Sequence, residues 1–165
     1  AALGVTLILA IVVILVRVQS FSDTGILVEY SSEPAWYEQG IDKSSGTEIV
    51  FYNDGKAEIR NTPVEVRENQ QIPSVSFTIN SDVVKGLQKE IVMMGFIFLW
   101  EDISTRSSDG SYIYITVHTR SITHASGGLN PSDFRFRKME DAIRAAVPDE
   151  VMSEYNAAVE EYYAD

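Results

Sequence analysis

The side chains able to do chemistry are few and scattered. His118 and His124 are the only histidines among 165 residues, and there is no cysteine. Their six-residue separation does not match zinc-ligand spacing, and no thiolate can complete a site. They read as exposed polar residues. Glu101-Asp102 offers the paired carboxylates used in general acid–base catalysis or calcium binding. That pair follows a strand-like run, where neighbouring side chains point to opposite faces, so the two carboxylates do not share a site. Asn53-Asp54-Gly55 lacks the ligand series of a calcium loop, and Gly127-Gly128 lacks the lysine and strand–helix context of a phosphate loop. No Gly-x-Ser-x-Gly elbow is present. Asn61-Thr62-Pro63 and Asn130-Pro131-Ser132 are not glycosylation acceptors. Tyr112, Tyr114, Tyr155, Tyr162 and Tyr163 suit either an interface or half-buried strand and helix positions. The sequence therefore points away from an enzyme and offers no catalytic, cofactor-binding or metal residue.

Charge narrows the partners. Thirteen basic residues stand against 24 acidic ones, a net charge of −11, which argues against nucleic acid because phosphate binding needs a basic face. The 45% apolar content argues against disorder and is enough for one domain of about 145 residues with a real core.

Hydropathy is most informative at the N-terminus. From Ala1 to Val16 there is no charge, and Thr6 is the only polar side chain before Arg17. As a helix this run spans about 24 Å, against a hydrocarbon core of about 30 Å. Val18 and Phe21 lengthen it, with Arg17 snorkelling to the interface. Apolar residues go right round such a helix, so it is not an amphipathic surface helix. Three roles fit. A secretory signal needs a small-residue cleavage site after the run, and Arg17-Val18-Gln19 supplies none. A single-pass anchor would have an initiator Met ahead of Ala1. A helix that sits in the bilayer and later packs against its own copies would have a short basic leader there.

The segment Ala1-Ala2-Leu3-Gly4-Val5-Thr6-Leu7-Ile8 resembles the start of mature archaellins and related archaeal pilins, with Thr6, Leu7 and Ile8 near the places of their Thr-Leu-Ile. Gly4-Val5-Thr6-Leu7-Ile8 also resembles the bacterial Gly-Phe-Thr-Leu-Ile-Glu signature, with Leu9 where that motif has glutamate. The resemblance covers about sixteen of 165 residues. It implies a type IV filament subunit whose apolar helix forms the filament core, and a β-sandwich outer domain.

The elements behind this segment follow from periodicity. Gln19 to Gly25 reads as the exit, followed by the β-type run Ile26-Leu27-Val28. Residues 31 to 46, with Pro34, Gly40 and Gly46, read as a loop. Thr47–Tyr52 and Lys56–Arg60, joined by Asn53-Asp54-Gly55, predict a β-hairpin. Val64–Arg67 extends the meander, and Val75, Phe77 and Ile79 alternate as a half-buried strand. Val84, Leu87, Ile91 and Met94 fall at helical spacing, with Ser81 as N-cap and Gly95 as the stop. Phe96–Trp100 reads as a buried central strand; the apolar run Val92–Trp100 is too short to cross a bilayer as a helix. Tyr112–Thr119 is a further strand, and Ser121–Ser132 a loop. Phe136, Met139, Ile143 and Ala146 mark a helix over Asp133–Val147, and Pro148 opens another striped by Val151, Tyr155, Ala158, Val159 and Tyr162. Ala145–Asp165 holds six acids and no base, which is either a solvated face or a contact for a basic partner surface.

The predicted fold class is α+β. An apolar N-terminal helix, transmembrane or filament-core, spans residues 1–21. One acidic, β-rich extracytoplasmic domain spans 22–165, with an internal helix and a C-terminal helical pair. The expected function is that of a non-enzymatic structural subunit at the cell surface, needing no cofactor. Leu3, Leu7, Leu9, Ile11, Ile14 and Leu15 would exchange lipid for other copies of the chain. The alternative is a single-pass accessory subunit of a multi-protein membrane complex, docking through its acidic C-terminal helices.

Overall fold

A computed structural model describes residues 20–34, 45–63, 71–105 and 110–164. Six strands form one antiparallel sheet in the order β4-β3-β2-β1-β5-β6. They are β1 (Ile26–Pro34), β2 (Ser45–Tyr52), β3 (Lys56–Pro63), β4 (Ser74–Thr78), β5 (Ser111–His118) and β6 (Thr123–Leu129). The expected hairpin forms as β2–β3, with Ile49 opposite Ile59 and Phe51 opposite Ala57. Its turn needs glycine at Gly55, where φ is +86° and a Cβ would stand 2.7 Å from the carbonyl oxygen of Ile79. Alternation assigns the faces. Val28, Tyr30, Ile49, Phe51, Ile59, Ile115 and Val117 are buried on one face, while Glu29, Ser31, Glu48, Tyr112 and Tyr114 line the other. A bulge between Ile26 and Val28 lets Leu27 and Val28 both enter the core.

Three helices cover the apolar face: α1 (Ser81–Met93), α2 (Phe134–Ala145) and α3 (Asp149–Ala164). Val84, Leu87 and Ile91 bury the inner stripe of α1, and Phe136, Met139 and Ile143 that of α2. Tyr155 and Tyr162 do the same for α3, which lies against β3 and β4. The cap of α1 is Asn80 rather than Ser81; its side-chain oxygen accepts from the amides of Asp82 and Val83. Asp133 caps α2 by accepting from the Arg135 amide at 2.8 Å. The Arg135 guanidinium bonds the same carboxylate and holds its pKa below the usual carboxylate range. Asp133→Ala is therefore expected to cost about 1 kcal/mol in urea unfolding at pH 7. Because the folded pKa is lowered, that contribution is present above about pH 4 and vanishes as pH falls through the lowered value. Wild type and variant should converge in acid.

Several expectations are corrected. Among the described residues the architecture is a six-stranded antiparallel sheet with three helices, and the expected membrane-spanning or filament-core helix is not among them. Among the described residues no helix is long and apolar enough to cross a membrane, so the single-pass transmembrane reading is overturned. The physical reason is that each helix carries a charged outer face, with Lys85 and Lys89 on α1, Arg137 and Lys138 on α2, and five acids on α3. The apolar residues Leu3, Leu7, Leu9, Ile11, Ile14 and Leu15 lie outside the described residues. Phe21 packs against the domain core.

Within the domain, Phe96–Trp100 is not a strand. Gly95 adopts a left-handed conformation after α1, and Phe96–Phe98 makes a 3-10 turn that buries Phe96 and Leu99 and exposes Phe98 and Trp100. Ser121–Ser132 is not a loop throughout, because β6 pairs with β5 from Thr123 to Leu129. The loop predicted over 31–46 is strand at both ends, since β1 runs to Pro34 and β2 starts at Ser45. Val64–Arg67 lies outside the described residues.

Candidate functional site

Three groups of side chains could carry function, and two are polar. In the first, Glu140 on α2 is buried and reaches Tyr30 on β1. Arg137 donates to its Oε2 at 2.7 Å, and Arg144 donates to its Oε1 at 3.1 Å. Arg144 also donates to the Tyr30 hydroxyl at 2.5 Å, and that hydroxyl donates to Glu140 Oε1 at 3.4 Å. The Arg144 guanidinium lies 5.1 Å from the Tyr30 ring centroid. Burial pushes the Tyr30 pKa up, with Arg144 opposing it. Each oxygen of Glu140 faces a cation, so the cluster fixes α2 to the sheet and leaves no free carboxylate for chemistry.

The second group lies on the other sheet face. His118 Nε2 stands 2.5 Å from Glu29 Oε1, and its Nδ1 stands 3.1 Å from Thr123 Oγ1. Carboxylate, imidazole and hydroxyl in series is the order of a nucleophile relay. Thr123, the first residue of β6, faces His118 on β5, and Glu29 on β1 pairs with Thr116 and reaches His118 diagonally. None of them lines the hollow between Asn53 and Ser81, the groove between α1 and α2, or the hollow beside Arg60. The arrangement acts as a cross-strand clamp.

The two histidines sit on opposite faces, because His124 pairs with the buried Val117 and packs edge-on to Phe96. Among the described residues, no group of three or more potential ligands is placed to hold a metal ion. Asp102 accepts from the Ser104 hydroxyl and amide, which holds its pKa below the usual range. Its neighbour Glu101 gives its backbone oxygen to the Gly127 amide.

The third group is apolar. Met93 ends α1 at 62% exposure, Phe98 and Trp100 follow at 58% and 79%, and Phe134 opens α2 at 66%. Phe96 and Phe136 hold these elements together, with ring centroids 6.1 Å apart. The Trp100 carbonyl oxygen accepts from Ser126 Oγ at 2.7 Å, which pins this residue to β6. Four large apolar side chains are thus held out from rigid supports. Toward the other end of the helix pair, Val83, Gly86, Leu87 and Glu90 of α1, Ala142 and Ala145 of α2 and its C-cap Ala146 line a groove of about 270 Å³. That is below the range of about 300–1,000 Å³ common for small-molecule sites, and matches a side chain better than a cofactor.

Of the tyrosines singled out from sequence, Tyr112 and Tyr114 are exposed on the open sheet face, whereas Tyr155 and Tyr162 are buried beneath α3. Sequence reasoning misses the aromatic end because its apolar run reads equally well as a buried strand. The signal that could have found it is Gly95, a helix stop that turns the following residues outward. Neither a protein-family model nor a curated protein matches the chain.

Proposed function

We propose that the chain is a non-catalytic structural subunit of a cell-surface filament, assembled through contacts between its own copies. One observation carries this reading: the exposed end formed by Met93, Phe98, Trp100 and Phe134, held rigid by Phe96 and Phe136. Apolar surface left in water costs about 25 cal/mol per Å², and large aromatic side chains held exposed on rigid supports are of the type that interfaces cover. Tryptophan, the most exposed member, is also the residue most enriched where interfaces are strongest. The apolar stretch Ala1–Val16, with its resemblance to archaeal pilins, supplies a second self-contact through Leu3, Leu7, Leu9, Ile11, Ile14 and Leu15. The net charge of −11 keeps the assembled surface soluble.

Negative-stain electron microscopy of the assembly in its native state tests this reading. Uniform filaments composed mainly of this chain are expected. Leu7→Asp should remove them while leaving the circular dichroism of the domain unchanged. Normal filaments from that variant overturn the N-terminal contact. Discrete particles built from several different polypeptides overturn the filament and make the chain an accessory subunit.

A further inference from the structure

We infer that β4 is a self-docking edge, along which two copies pair antiparallel about a two-fold axis at Ser76 and join their sheets into one. The inference goes beyond the assembly reading and does not need the N-terminal contact. The ladder to β3 fixes which backbone groups are free. The Asn61 amide donates to the Pro73 carbonyl oxygen at 2.9 Å, and the Ile79 amide to that of Gly55 at 2.8 Å. Bonded pairs alternate along an antiparallel ladder. Val75 and Phe77 therefore bond β3, while Ser74, Ser76 and Thr78 turn their N–H and C=O groups outward. Among the described residues nothing bonds those groups. The three side chains are exposed as well. The strand has no proline, no lysine and no bulge, the usual guards of an edge.

The opposite edge of the sheet cannot be the partner, because residues 101–105 close it. The amides of Ile103 and Thr105 donate to the carbonyl oxygens of Gly127 and Leu129 at 2.9 Å each, and the Gly127 amide donates to that of Glu101 at 3.0 Å. Two sheets of this chain therefore join only through β4 on β4, a symmetric pairing that closes on itself. Charge selects a second copy as the occupant. Residues 71–81 carry none, in a chain of net charge −11. An acidic or basic foreign strand finds no counter-charge there, whereas β4 brings the same uncharged length. The strand also matches itself. With Ser76 on the axis, Ser74 stands opposite the partner's Thr78, and every outward residue exchanges both backbone bonds. On the core face Val75 stands opposite the partner's Phe77, a small side chain beside a large one. Phe77 is only partly buried, edge-on to Phe51 at 6.0 Å, and pairing covers its open flank. Helix α3, which lies against β3 and β4, brings five acids and no base to each side of the axis, so salt should strengthen the pairing by screening them.

Sedimentation velocity on the full chain carrying Leu7→Asp, which lacks the proposed N-terminal contact, isolates this one. A concentration-dependent dimer that tightens with added salt is expected. Ser76→Pro, added to that chain, removes both backbone bonds on the axis and should weaken the dimer about thirtyfold. The Ser76 amide does not serve β3, so proline is tolerated there in the folded domain. Ser76→Lys keeps the backbone and sets like charges opposite each other, which should weaken the dimer about fivefold. Ser76→Glu should do the same, and mixing these two charged variants should give a mixed dimer at least as tight as the unmodified pair. A Leu7→Asp chain that stays monomeric up to about 1 mM overturns the pairing, and wild-type filaments beside it leave the assembly reading standing. Dimers of that chain without wild-type filaments overturn the filament and keep the pairing. A dimer that Ser76→Pro and Ser76→Lys leave intact overturns β4 as its seat. A mixture of the charged variants that fails to recover overturns the axis at Ser76.

Discussion

Phe136→Ala is expected to lower the free energy of unfolding by about 3–5 kcal/mol, the range for emptying a buried phenylalanine site. The ring is fully buried in the first turn of α2 and packs 6.1 Å from Phe96, itself fully buried. Neither neighbour can follow the ring inward. Phe96 is fixed by the 3-10 turn after Gly95, and α2 is tied to β1 through Glu140. The cavity therefore persists, which places the cost in the upper half of that range. Urea denaturation should show a lower midpoint at unchanged slope. Phe134→Ala, two residues earlier and 66% exposed, supplies the control and should change stability by no more than about 0.5 kcal/mol. The two variants separate packing from docking. Phe136→Ala weakens the support beneath Phe98, whereas Phe134→Ala removes exposed surface without disturbing the core. A loss below about 1.5 kcal/mol for Phe136→Ala would mean that the site collapses around the missing ring.

What could be read from the sequence was local. The β2–β3 hairpin is specified within fourteen residues, by alternation on both arms and a turn only Gly55 can complete. The α2 stripe of Phe136, Met139 and Ile143 repeats at helical spacing and needs no distant partner to be seen. The misreadings share one cause, which is dependence on contacts far away in the chain. Phe96–Trp100 has the composition of a buried strand, but Phe96 meets Phe136 forty residues later, and that packing turns Phe98 and Trp100 to solvent. Thr123-His124-Ala125-Ser126-Gly127-Gly128-Leu129 has no apolar period, and it is a strand because β5 offers it an edge. Its small residues admit the Trp100–Thr105 segment alongside, where Gly127 bonds both Glu101 and Ile103. The functional surface was hidden for the same reason, because exposure of an apolar residue is a property of the fold and leaves no mark in the local sequence.

Glu140 shows the same dependence in its energetics. The pair Glu140 and Arg144 is visible in the sequence at helical i,i+4 spacing, but its partner Tyr30 lies 110 residues earlier. As a surface pair it would contribute about 0.3–0.5 kcal/mol. Buried against Tyr30, it does more. Removing one partner of a buried pair costs about 3–5 kcal/mol where the remaining charge stays buried. Here Arg137 and Arg144 keep 46% and 52% side-chain exposure and can be rehydrated by water. Glu140→Ala is therefore expected to cost about 2–3 kcal/mol, most of it from the lost charged hydrogen bonds to Arg137 and Arg144 and the loosened α2–β1 contact. A thermal or urea melt measures it, and a loss under about 0.5 kcal/mol would place the pair among ordinary surface contacts. The same cluster sets an alkaline limit. Burial raises the Tyr30 pKa above its ordinary 10.0, partly offset by Arg144, so the folded state holds this proton more tightly than the unfolded chain. That contribution is complete below about pH 10 and is lost as pH rises through the raised value. Tyr30→Phe keeps the ring and removes the titrating group, so its stability should fall less steeply above pH 10 than that of the wild type. Equal slopes would show that the phenol ionises as readily in the folded domain as in the open chain.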